Sequence, residues 1–129
     1  MKTTKEIVAA IKGRTWGPDE VDDALHDRAK ALKGQPAEKL EWHLAWAFNG
    51  VDSLTRRLRE SVASDRRETS DVLAHVNAGD WLEPQRSDMS RVYRSRTVEY
   101  VARLEEAHET LRRFLDVYEA FAVDPPGAE

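Results

Sequence analysis

The feature that most constrains this chain is the spacing of its apolar residues between positions 40 and 58. Leu40, Leu44, Ala47, Val51, Leu54 and Leu58 alternate intervals of four and three, which lines them along one side of a helix but would scatter them over both faces of a strand. A second run keeps a similar rhythm. Tyr93, Tyr100, Ala107, Phe114 and Phe121 recur every seven residues, with Leu104, Leu111 and Tyr118 offset from them, as in helices that pack against helices. Between the runs, Ala78-Gly79-Asp80-Trp81-Leu82-Glu83-Pro84 reads as a helix stop, a loop and a helix start. Two amphipathic rods of similar length, residues about 36–78 and 84–123, then bury their seams most cheaply as an antiparallel helical hairpin. Asp124-Pro125-Pro126-Gly127 ends the second rod and leaves 124–129 as an expected disordered tail.

Two short helices precede the hairpin. Thr3 and Glu6 have capping-box spacing, Ile7, Val8 and Ile11 supply an apolar side, and Gly13 offers a left-handed stop. Gly17-Pro18-Asp19-Glu20 places a proline at a first helical position and acids beside the positive end of the helix dipole. Val21, Leu25, Ala29 and Leu32 follow one face before Gly34 and Pro36. The expectation is one all-α domain over residues 1–129, a helical bundle in which two capping helices within 1–35 cover a hairpin over 36–123. The seam passes through Asn49-Gly50 in register, so Gly50 is read as a helical glycine and close packing by a neighbour as its reason. Trp42, Ala45 and Trp46 give the third helix a second apolar side, and a helix apolar on two sides is covered on two sides. The N-terminal helices or a second copy are the expected cover. Tyr93, Tyr100, Phe114 and Phe121 are expected in the core.

With 129 residues, 40% of them apolar, the chain suits a single core, and its 34% of charged residues suits long solvated helix faces. The net charge of −4, from 20 basic and 24 acidic side chains, argues against a phosphate-binding field over the whole molecule. Arg56, Arg59, Arg66 and Arg67 gather along the third helix, but Glu60, Asp65 and Glu68 interleave with them. Nucleic acid is therefore not the expected partner. The absence of cysteine excludes a disulfide framework, a thiolate zinc site and a cysteine nucleophile. The stretch Met1-Lys2-Thr3-Thr4-Lys5-Glu6 lacks the apolar run of a secretory signal, and no run approaches the roughly 18 to 20 residues that span a bilayer. A cytoplasmic location, away from membranes, is the expectation.

Catalytic chemistry has few carriers. Asp22 or Asp23 with His26, Asp71 with His75, and Glu105 with His108 are the histidine–carboxylate pairs, the last at the Glu-x-x-His spacing of carboxylate-bridged metal bundles. His43, Glu105 and His108 are the candidate metal ligands, and no cofactor is expected. Trp42-His43-Leu44-Ala45-Trp46 resembles the His-Leu-Ala helix of the DinB-like metal-dependent four-helix enzymes, and that resemblance implies a metal-dependent helical bundle. It covers five residues, without the family's later His-x-x-x-His pair. Two long helices around a tight turn containing tryptophan are also similar to the small WXG-type secreted hairpins, although the turn here is Gly79-Asp80-Trp81. The functional expectation is a non-enzymatic helical interaction, adaptor or regulatory protein that binds a protein partner or its own copy as a homo-oligomer. Trp42, Trp46, Trp81, Arg56 and Arg59 are its expected contact residues. A DinB-like metal enzyme and a small DNA-binding regulator are the alternatives.

Overall fold

The structure is a computed structural model that describes residues 1–77 and 84–128, with the side chains of 68, 69 and 72–95 outside the description. The expected reversal at Gly79 and the contact residue Trp81 lie outside the described residues. Four helices and no strand occur among the described residues: α1 (Thr4–Gly13), α2 (Pro18–Ala31), α3 (Pro36–Asn77) and α4 (Pro84–Phe121). None of them, among the described residues, is long and apolar enough to cross a membrane.

The local signals explain where most helices begin. The Thr3 hydroxyl accepts the Glu6 N–H at 3.2 Å and caps α1. Gly17 precedes α2, and Pro18 occupies its first turn, where a missing N–H costs nothing. Gly34, at φ 84°, makes the turn between α2 and α3, and its N–H donates to the Glu38 carboxylate at 2.9 Å.

Two expectations are corrected here. Gly13 is still helical, and the left-handed residue is Arg14, at φ 52° and ψ 41°. Thr15 N–H bonds to Ala10 O at 3.1 Å and Arg14 N–H to Ile11 O at 3.4 Å; this Schellman pair fixes the left-handed position at residue 14 whatever its side chain. Gly50 does lie inside α3, but a Cβ placed on it would meet nothing within 4 Å. Close packing within the chain is not its reason.

The chain divides into two compact units, one of Met1–Asp52 with the stretch from Ala107 onward, the other of Ser53–Glu106. In the first, Ile7, Val8 and Ile11 of α1, Val21 and Leu25 of α2, Leu44, Ala45 and Ala47 of α3, and Leu111, Leu115 and Tyr118 of α4 form one core. Complete burial of each leucine or isoleucine contributes about 1.5–3 kcal/mol. The inward line of α4 is 111, 115, 118, so Phe114 and Phe121, three residues on from Leu111 and Tyr118, are rotated about 60° from it. Phe114 is half-buried and Phe121 is 70% exposed, which corrects the expectation of a core position for Phe121. In the second unit the Ser61 hydroxyl is buried against that of Thr97 at 2.7 Å, and Val98 and Val101 are exposed.

Candidate functional site

The polar centre of the first unit is Arg28, fully buried in α2. A guanidinium carries five N–H groups, and each has a partner here. Nε donates to Glu41 Oε1 at 2.8 Å. Nη1 donates to the Lys2 carbonyl and to Asp124 Oδ1, both at 2.9 Å. Nη2 donates to Thr4 Oγ1 at 2.8 Å and to the Val123 carbonyl at 3.2 Å. Glu41, itself fully buried in α3, accepts its second bond from the Tyr118 hydroxyl of α4 at 2.7 Å. Asp124 Oδ1 also accepts the Thr4 N–H at 2.8 Å and the Thr4 hydroxyl at 2.9 Å.

The electrostatics follow from burial and pairing. Burial pushes the Glu41 carboxyl above its ordinary range, against the opposing pull of the Tyr118 and Arg28 bonds. Burial beside the Glu41 charge raises the Tyr118 phenol strongly. Burial would lower Arg28, but its Asp124 bond and the charges around it raise it overall. The Thr4 amide, then Arg28, hold Asp124 below the usual carboxylate range. With every guanidinium N–H engaged, the cluster has no free donor there for a ligand. Its chemistry is that of a clamp joining α2, α3 and α4 to residues 2–4 and 123–124, including part of the expected disordered tail.

The other notable surface of this unit is aromatic and open. Trp46 is 68% exposed and Trp42 42% exposed on the outward side of α3. The two tryptophans are flanked differently. Trp42 meets the His26 ring of α2 edge-on at 4.9 Å, and its indole N–H donates to Glu38 at 3.2 Å. The bonds from the Gly34 amide and the Trp42 indole hold the Glu38 carboxyl below its ordinary range. The Trp46 ring stands perpendicular to that of Phe114 on α4, at 6.4 Å, while His43 lies parallel to the Phe114 ring at 5.6 Å. Val117 and Phe121 continue the surface along α4, 42% and 70% exposed. The N-terminal helices therefore cover Trp42 in part and leave Trp46 uncovered.

His43 is exposed in the aromatic surface, His108 is half-buried in the same unit, and Glu105 is exposed in the second unit. Among the described residues no three His, Cys, Asp or Glu side chains gather as a metal site would require. His26 Nδ1 lies 2.7 Å from the Asp22 carbonyl and 3.3 Å from its carboxylate. Arg56 and Arg59 are exposed on the second unit. Sequence reasoning missed the Arg28–Glu41–Tyr118 cluster. Its signal was present: Arg28 sits between Leu25 and Leu32 on the apolar line of α2, and Glu41 adjoins Leu40 in the seam of α3. Opposite charges placed on two buried stripes are a pair in waiting. No protein-family model, curated protein or solved structure matches the chain.

Proposed function

We propose that this protein is a non-enzymatic helical interaction module, in which α3 and α4 pair as an antiparallel hairpin capped by α1 and α2, and that it binds protein through the aromatic face of α3 and α4. The observation that carries the reading is Trp46, two-thirds exposed on a helix whose opposite side is already buried. The largest exposed apolar patch of a protein, commonly about 300–600 Å², is often functional, and tryptophan is enriched with tyrosine and arginine among interface anchors. The hairpin is supported by Tyr118 on Glu41 in one unit and Thr97 on Ser61 in the other, since the α4 number falls as the α3 number rises.

A photoreactive phenylalanine analogue at position 46, irradiated in living cells, tests the reading. Adducts with a protein, whether this chain or another, are expected from position 46 and not from Glu20, exposed on α2. Equal yields from both positions, or none from 46, reject the face.

A further inference from the structure

The charges around the aromatic face are segregated. On α2, Asp19, Asp23, His26 and Lys30 follow intervals of four, three and four, so they share one line, and His26 fixes that line against Trp42. The helix runs antiparallel to α3, since Asp22 bonds Asn49 at 3.2 Å while Arg28 bonds Glu41. Its carboxylates Asp19, Asp22 and Asp23 therefore stand at the Asn49 end of the face, and Lys30 at the other. On α4, where Phe114 meets Trp46 and Tyr118 meets Glu41, Arg113 borders the Asn49 end and Val117 and Phe121 the far end. Arg113 is bonded to Glu109 of its own helix at 3.4 Å, so the face has one acidic corner, one cationic corner at Lys30, one corner of paired charge and one apolar corner.

Resting on the docking reading above, we infer that the occupant of this face is a second copy of the chain, related by a two-fold axis lying in the face. Rotation about an axis along α3 sets the acidic corner of one copy opposite Arg113 of the other, which would then be shared with its own Glu109. Rotation about an axis across α3 sets it opposite Lys30. In neither pairing does the acidic corner meet itself, which is the self-complementarity that an isologous interface requires. Size agrees: Trp42, Trp46, Val117 and Phe121 expose on the order of 400 Å² of apolar side chain, about half of what each partner buries in a standard interface, with the charged rim to supply the rest. Gly50 is one helical turn from Trp46, and the open space beside it lets a second backbone come close.

Sedimentation equilibrium on the full chain tests this at low salt, across protein concentrations from about 1 to 500 µM. Doubling of the 14.7 kDa mass is expected. Trp46→Glu, at an exposed position that leaves the fold intact by circular dichroism, should remain monomeric. Asp23→Lys should weaken the dimer about tenfold, and adding either Arg113→Glu (axis along α3) or Lys30→Glu (axis across it) should restore it. A monomer at every concentration overturns the second-copy inference, as does a dimer indifferent to Trp46→Glu or a loss at Asp23 that neither swap repairs. Failure of the docking reading itself is separate, being an absence of adducts from position 46. A monomer whose position 46 cross-links to another protein sinks only the inference.

Discussion

Glu41 and Tyr118 show how much one buried bond supports in this molecule. The carboxylate sits in a core of leucine and alanine, where an ion survives only if its oxygens are satisfied, and Arg28 and Tyr118 each satisfy one. Tyr118→Phe removes one of those bonds while keeping the ring beneath the guanidinium, whose centre lies 5.8 Å from it. A lost bond to a buried charge costs about 1.5–3 kcal/mol. The expected outcome is an unfolding free energy lowered by that amount, read as a lower urea midpoint with an unchanged slope. A loss under about 0.5 kcal/mol, the size of an ordinary surface substitution, would show that water takes the place of the hydroxyl and that the cluster is less closed than its geometry states.

At the scale of the element, what was legible in the sequence is what local chemistry dictates. Thr3, Pro18 and Pro36 mark helix starts because capping and proline geometry are properties of a few adjacent residues. A polar stretch such as 61–70 lacks the periodicity that locates a helix, yet α3 runs through it unbroken. The face of α4 was misjudged because two lines of large residues compete there. Tyr118 turns inward to reach Glu41, and this leaves Phe121 outside, a choice made by a partner 77 positions away. Gly50 tests the element on its own terms. Alanine fits the space, so Gly50→Ala should raise monomer stability by about 0.5–1 kcal/mol through helix propensity, read in the Trp46→Glu background where association is absent. In the otherwise unaltered chain the same methyl should weaken association, and a dimer as tight as before would remove Gly50 from the contact.

For the molecule as a whole, the clamp makes its stability depend on pH through two carboxylates of opposite sign. Asp124 is held below its ordinary value of 3.8, so its ionised form is favoured by folding. Its contribution is complete at pH well above 3.8 and is lost as the pH falls through the lowered value. Glu41 is raised above its ordinary 4.5; folding favours its protonated form, and stability is lost on that account as the pH rises from 4.5 through the raised value. Within the clamp the acid limb of the unfolding profile therefore belongs to Asp124 and not to its buried neighbour, although Glu41 makes the shorter bond to Arg28; Glu38, also held low, adds to that limb from outside the clamp. Asp124→Asn keeps an oxygen for the Thr4 amide and removes the charge. The variant should unfold at lower urea than the parent chain at pH 7, and the two curves should converge as the pH falls below 3.8 and through the lowered value of Asp124. The Asp124 side chain is 48% exposed, so solvent screening makes the gap at pH 7 modest. A gap that stays constant from pH 7 down through that lowered value would mean that the hydrogen bonds of Asp124 secure the chain ends and that its charge contributes nothing.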